Sequence, residues 1–382
     1  MTVETFDKLC SAETISAVET SLERLPSDIA LDKHIADAAV VATQVKYLQR
    51  AKSKLPSYFA ARCILPPLSF EQASSEAVAS AKAIEGEAVL DLTCGLGVDS
   101  LYLSKRFARV VSIERDKTLA KVARENFRRL GVENIEVINT SAEEYLATCN
   151  ERFDWIYADP DRRSDAGKKL VRLEDCSPNI LALKADIERI SAGRVMIKNS
   201  PLFDVDEALR LFSPARVEVV SLRDECKEVI VSTAERDILV ATAIGKGSFE
   251  VALSDIVEPE MPHFDMESYR YLLIPDVAIQ KSRLARMALS EVADIWSNNG
   301  FGFARTMPEG TPLARIEEIQ SIEEYSSKEL RRRLAGEGYE IYKRDIELSI
   351  TQIAKQLKIK QGGRKRIAVS RVGGSIKVIT LK

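Results

Sequence analysis

Histidine is nearly absent: the 382 residues include two, His34 and His263. That count excludes a His-rich metal centre, and a Ser-His-Asp or Cys-His hydrolase would have to use one of these two as its base. Neither lies in a motif of that kind, so both read as ordinary surface or packing residues. The six cysteines, Cys10, Cys63, Cys94, Cys149, Cys176 and Cys226, are scattered and contain no CxxC pair. Structural zinc and a disulfide framework are therefore not expected, and no metal site is assigned; the thiols fit a reduced, cytoplasmic protein. No apolar run reaches the ~18 residues that cross a bilayer. Met1–Cys10 also lacks the basic and apolar parts of a signal peptide. Neither membrane insertion nor secretion is expected.

What is present is ordinary soluble composition, 45% hydrophobic and 30% charged, in a chain long enough for two or three domains. The net charge of −3 hides an asymmetry. Lys328–Lys382 carries 15 Lys/Arg against 5 Asp/Glu, a local +10, while the other 40 basic and 53 acidic residues leave −13. A basic end on an acidic body points to an anionic partner, nucleic acid first. A solvated face of basic helix is the plainer alternative.

Along the chain, residues 1–83 read as helices; Val40–Leu55 spaces apolar residues three and four apart and Pro56 closes it. From 84 to 246 short apolar runs alternate with amphipathic helices. The runs are Ala88–Leu92, Arg109–Glu114, Ile135–Thr140, Asp154–Asp159, Arg194–Ile197, Arg216–Leu222 and Ile238–Ile244. That alternation argues an α/β fold, a doubly wound and mostly parallel sheet. Arg223–Asp237 reads as polar and turn-like, so the last two runs are expected to pair antiparallel at one edge. Residues 247–325 form a first small α/β domain with a helix over Val277–Asn298. Residues 326–382 form a second one, basic, reading helix, strand, helix and two strands joined at Gly373-Gly374, a two-residue hairpin signal.

Val89–Ser100 reads VLDLTCGLGVDS: a strand ending at Asp91, a loop with Thr93, Cys94, Gly95 and Gly97, then a helix. Glycines at such a turn let a ligand approach the backbone, and the helix start offers free N–H groups. Ser100 takes the place of the third glycine of the dinucleotide fingerprint, so that match is incomplete. The second strand ends in Glu114, 17 residues after Gly97, beside Arg115. A carboxylate there can accept both hydroxyl protons of a ribose. Asp159-Pro160 ends the fourth strand, where open α/β sheets bind ligands, and Arg162, Arg163 and Lys198 are candidate anion contacts.

An acid followed by x-x-x-G-x-G resembles motif I of the class I S-adenosylmethionine (SAM) methyltransferases. The resemblance implies that the loop cradles the methionine and ribose and that Asp91 faces the cationic end. It also implies that Ser141, Ala142 and Glu143 of NTSAEEY hold the adenine, and that Gln72 and its neighbours touch the methionine end. Asp159–Arg162 (DPDR) resembles motif IV, but lacks the aromatic of D-P-P-aromatic amino methyltransferases. Its D-P-x-R form is closer to the RNA uracil-5 methyltransferases, whose S-C-N-P thiol is replaced here by Lys198–Pro201 (KNSP). Together with RAKSKLP, FEQASSE, DPDRR and SKELRRRLAGEGY…RKRIAVSRVGG, these motifs resemble a bacterial methyltransferase family. That family carries a ferredoxin-like and a C-terminal THUMP-like domain.

The resemblance implies a SAM-dependent methyltransferase, with RNA as the leading substrate, recruited by residues 326–382. Asp159 is the expected substrate-positioning residue, with Pro160, Arg162 and Lys198 around it. A small-molecule or protein methyltransferase, or a SAM- or RNA-binding protein without activity, remain the alternatives.

Overall fold

The structure, a computed structural model, describes residues 1–161, 173–191, 193–257, 261–310 and 313–382. It divides into two compact units: Met1–Asn199 with Val231–Thr233, and Ser200–Ile230 with Ala234–Lys382.

The first unit is built on parallel strands β1 (Gly86–Asp91), β2 (Phe107–Ile113), β3 (Ile135–Ile138), β4 (Trp155–Ala158) and β5 (Val195–Asn199), in the order β3-β2-β1-β4-β5. Val89, Leu90 and Ile156 are fully enclosed. Continuous apolar runs of this kind belong to a sheet covered on both faces. Helix Lys117–Leu130 is bounded by its ends: the Asp116 side chain accepts the Leu119 N–H and Gly131 closes the last turn in the left-handed region. It buries Ala120, Ala123 and Phe127 in one core with Val41, Val45, Leu48 and Ala51 of helix Ala38–Lys54. The N-terminal helices thus share the core of the sheet. Two buried amides fasten the link: Gln44 Nε2 donates to Cys63 O (2.8 Å) and Asn126 Nδ2 to Ile64 O (3.0 Å), and the Ile64 N–H returns to Asn126 Oδ1 (2.7 Å).

In the second unit, β6 (Ala215–Leu222) and β8 (Ile238–Ala243) pair parallel, contrary to the antiparallel expectation. The supposed turn between them contains a strand, β7 (Glu225–Thr233), which belongs to this unit as far as Ile230 and lies beside β6 in the order β7-β6-β8-β9, with β9 spanning Gly247–Ala252. The expected helix over Val277–Asn298 is also replaced. Short helices Val277–Lys281 and Ala285–Leu289 are separated at Arg283, which takes a left-handed φ of 59°. Beyond them the chain enters a strand, and the order of the second sheet is β11-β12-β10-β13-β17-β16-β14-β15. Here β10 is Tyr271–Pro275, β11 Asp294–Ile295, β12 Gly302–Ala304, β13 Ala314–Glu324, β14 Gly338–Arg344, β15 Lys360–Gln361, β16 Lys365–Val372 and β17 Ser375–Leu381. Strand β13 pairs with β10 through 314–318 and with β17 through 319–324. Residue 325 thus follows the last residue of β13, a strand that pairs with one strand before that point and one after it. The β16–β17 hairpin turns at Gly373 and Gly374, with φ of 60° and 85°, as the sequence indicates. Helix Ile350–Leu357 starts where Ser349 and Gln352 form a capping box.

Candidate active site

The loop after β1 is tied to both neighbouring strands. The Leu92 N–H donates to Tyr157 O (2.9 Å) and the Cys94 N–H to Ile113 O (2.8 Å). Asp91 is fully buried and accepts the Thr93 N–H (2.9 Å) and the Ser100 hydroxyl (2.6 Å). Ser100 at the third-glycine position thus has a role of its own. Burial pushes the Asp91 carboxyl up to about 7, against the pull of these hydrogen bonds. Cys94 is also enclosed, and burial pushes its thiol up.

The two loop glycines do different work. At Gly95 (φ 56°) a Cβ would come no nearer than 3.9 Å to any described atom, Thr93 O, so the position is not packed against a neighbour. At Gly97 (φ 85°) a Cβ would stand 2.5 Å from Phe127 Cζ. Glycine there serves helix packing rather than ligand approach. Glu114, just past β2, accepts the Gly95 N–H (2.9 Å) and the Asp116 N–H (2.8 Å). Burial raises its carboxyl above the usual range although both bonds oppose it. Asn139 Nδ2 donates to Glu114 O (2.8 Å), and Arg115 donates to Ser177 Oγ (3.0 Å).

The remaining cofactor candidates are less convergent. The Ser141 hydroxyl accepts the Glu144 N–H (3.1 Å) as the cap of helix Ala142–Thr148; Ala142 is buried and Glu143 exposed. Gln72 is exposed at the end of helix Pro67–Gln72; Ser74, two residues on, instead donates to Asp99 Oδ2 (3.3 Å).

At the ends of β4 and β5 a second group of side chains meets. The Asp159 N–H donates to Thr93 Oγ1 (2.7 Å), which joins this strand end to the β1 loop. The Asp159 carboxylate is ion-paired with Lys198 of β5. Lys198 also lies 3.7 Å from Asp99, whose other oxygen is 2.8 Å from Lys82. Burial opposes the charge of Asp99, yet the Lys82 and Lys198 ammonium groups outweigh it and hold the carboxyl below its usual range. Neither Lys82 nor Asp99 is singled out by the sequence. The only signal is an acid in the first turn after the glycine loop, and Lys82 reads as one more polar residue of a helix. Pro160 is buried beside the pair, and Arg162 and Arg163 lie outside the described residues. At the place of the uracil-5 thiol stands Asn199, buried, its Nδ2 donating to Ile197 O (3.2 Å). Among the described residues no group of three or more His, Cys, Asp or Glu is placed to hold a metal, and no helix is long and apolar enough to cross a membrane.

Parallel strands in the order β3-β2-β1-β4-β5, a glycine loop after β1 and an acid after β2 fit a class I methyltransferase fold. Comparison with known proteins agrees. Residues 89–166 match the model of a methyltransferase domain and residues 314–381 that of a THUMP domain-like family, so the chain joins a methyltransferase domain to a THUMP-like domain. Ribosomal RNA small subunit methyltransferase J of Coxiella burnetii (strain Dugway 5J108-111) is 33% identical over 130 residues, 29% of this chain and 51% of that protein. An uncharacterized S-adenosylmethionine-dependent methyltransferase of Mycobacterium tuberculosis (strain ATCC 25618 / H37Rv) is 26% identical over 196 residues, 49% of this chain and 51% of that protein. The chain spans about half the length of these curated relatives. A crystal structure described as a methyltransferase, from Porphyromonas gingivalis W83, superposes with a TM-score of 0.80 at 24% identity, covering 97% of this chain and 96% of that one. That likeness shows the fold.

Proposed function

We propose that the protein is a SAM-dependent methyltransferase of the cytoplasm that acts on RNA. The observation that carries this reading is the meeting of two features along one sheet edge. The open Gly95 position with the Glu114 carboxylate beside it lies at the ends of β1 and β2, and the Asp159–Lys198 pair lies at the ends of the adjacent β4 and β5. A glycine whose Cβ position is not crowded, next to a carboxylate, fits a nucleoside-bearing cofactor. SAM bound there supplies an already activated methyl group. The chain's own contribution is then orientation and proton handling. Glu114 accepts ribose hydroxyls, Gly95 admits the cofactor to the backbone, and Asp159 orients the acceptor and takes its proton. Lys198 and Arg162 supply positive charge for a phosphate or carboxylate. The amide at Asn199 speaks against C5 chemistry through a thiol at that position. RNA is supported by the +10 charge of residues 328–382, by the THUMP-like match, and by the ribosomal RNA methyltransferase among the relatives.

Calorimetry is expected to show binding of SAM and S-adenosylhomocysteine and none of NAD; NAD binding without SAM binding would sink the reading. Glu114→Ala should weaken SAM binding by roughly 1.5–3 kcal/mol, the scale of hydrogen bonds to a charged group. Unchanged affinity would remove Glu114 from the ribose.

Asp91 gives a pH signature. Its carboxyl titrates at about 7 in the fold and at about 3.9 when unfolded. Between those values the folded state holds the extra proton, so this group's contribution to stability declines as pH rises from about 4 to about 7. Asp91→Asn has no such proton. Its Tm, relative to the parent, should therefore rise as pH increases over that window; a constant difference would show that the buried carboxyl stays ionised.

A further inference from the structure

The proposed transfer makes no direct use of Lys82 or Asp99, yet both are enclosed. Water solvates an ammonium group far better than a protein interior, so a lysine as buried as Lys82 is retained with a matching charge. Asp99 provides that match at 2.8 Å. It also faces a second ammonium, Lys198, at 3.7 Å from its other oxygen, while Lys198 is itself paired with Asp159. The charges alternate in sign along the row. Side-chain exposure rises from 1% at Lys82, through 13% at Asp99 and Lys198, to 36% at Asp159. The row is fixed inside the unit and emerges at the strand-end carboxylate.

We propose that Asp99, held by Lys82, is a positioning residue that fixes Lys198, and through it the Asp159 carboxylate, relative to the cofactor loop; this rests on the reading of Asp159 given above. Asp99 stands in the first turn of helix Val98–Leu103, directly after Gly97, so the backbone that forms the Gly95 opening also sets Asp99. A lysine has a flexible four-carbon stem, and a single partner leaves it many arrangements. A second carboxylate on a rigid element narrows them. Together with the Asp159 N–H bond to Thr93 Oγ1, this gives the β4 end a second tie to the loop. The acceptor side is thereby held in register with the methyl donor.

The test uses the full chain, radiolabelled SAM, and total RNA from cells lacking the protein as methyl acceptor, with rates referred to the fraction of protein that binds SAM. Asp99→Asn is expected to lower kcat on the order of 10²-fold, the effect of a misplaced reacting group. SAM affinity and the KM for RNA should stay within about threefold, because interactions realised in the transition state are the ones lost. Parental kcat in this variant overturns the proposal. Since Asn leaves Lys82 unmatched, Lys82→Met/Asp99→Asn is measured alongside. It should recover thermal stability and keep the low kcat; recovery of kcat as well would mean that Asp99 only neutralises Lys82. A parent protein that methylates none of this RNA would count against the proposed substrate instead. The positioning claim is then decided by the crystal structure of the Asp99→Asn protein, where the Lys198–Asp159 pair should be displaced relative to the Gly95 loop, and a pair in its parental position overturns it.

Discussion

Asp159→Ala should reduce methyl transfer by roughly 10²–10⁴-fold, the range for losing a positioned proton acceptor, while SAM affinity stays within a few fold. The argument is one of location. Asp159 follows the last residue of β4 and is 36% exposed, whereas the Gly95–Glu114 opening lies at the ends of β1 and β2. Its backbone N–H, unaffected by the substitution, keeps the bond to Thr93 Oγ1 that ties the strand end to the loop. The variant therefore loses a carboxylate without losing the architecture around the cofactor. Lys198 is left with Asp99 at 3.7 Å as an anionic neighbour, so its charge is not stranded. Selective loss of turnover follows if Asp159 serves the transition state more than the bound cofactor. Calorimetry with SAM and single-turnover assays on RNA separate the two; a parallel loss of SAM binding would move Asp159 to the cofactor side.

Much of the methyltransferase sheet is legible in the sequence because parallel strands buried on both faces read as unbroken apolar runs. Val89–Leu90, Val110–Val111 and Ile156–Ala158 are of that kind. Strands with mixed surfaces are not so legible. In β7, Glu225–Glu228 carries three charges before the apolar Val229–Val231, and the segment reads as a turn. In β13 the isoleucines fall at 316, 319 and 322, a spacing of three that conceals a period of two. The register shift between Ile319 and Ser321 explains it: the strand changes its alignment as it passes from β10 to β17. Likewise the apolar pattern of Val277–Asn298 suits a helix, but the Ser282 hydroxyl bonds back to Ala278 O (2.8 Å) and Arg283 turns left-handed, ending the first helix early.

The candidate site divides in the same way. Local features, the glycine loop and acids at strand ends, are visible in one dimension. Roles set by distant partners are not. Gly97 is glycine because Phe127 packs against it, 30 residues on, and Asp99 matters because Lys82 and Lys198 converge on it from other elements. Asp91 reads as a ligand-facing acid, and its oxygens accept from Thr93 of the loop and Ser100 of the helix that follows it.

The basic tail yields the other large effect, and the structure redirects where to look for it. In the clusters Arg331–Arg333 and Arg364–Arg366, Arg333 pairs with Glu323, Lys365 with Glu337 and Arg366 with Glu317. Cations already matched in this way contribute less to attracting phosphate. Arg332, Lys358, Lys360 and Arg364 are exposed, with no carboxylate in ion-pair range among the described residues. They gather about the β15 end of the sheet: Lys360 is paired with Gly338, the Gly336 N–H donates to Lys358 O (2.8 Å), and Arg332 is in the helix that leads into Gly336. Tyr339 is buried and Tyr342 half-buried, so base stacking is minor and recognition falls to backbone and shape. Changing these four residues to glutamine should lower RNA affinity on the order of 10²-fold at low salt. The slope of log affinity against log salt should shrink by about 3, since each phosphate contact contributes roughly 0.7–0.9. SAM binding should not change. This is a cleaner experiment than ending the chain near Ser326, because β13 would lose its β17 partner and the sheet would open. Lysine on an edge strand also blocks unwanted strand pairing, and the salt slope tells the two roles apart. A four-residue variant that binds RNA with parental affinity and slope would make the tail a packing element and leave the RNA reading without its main support.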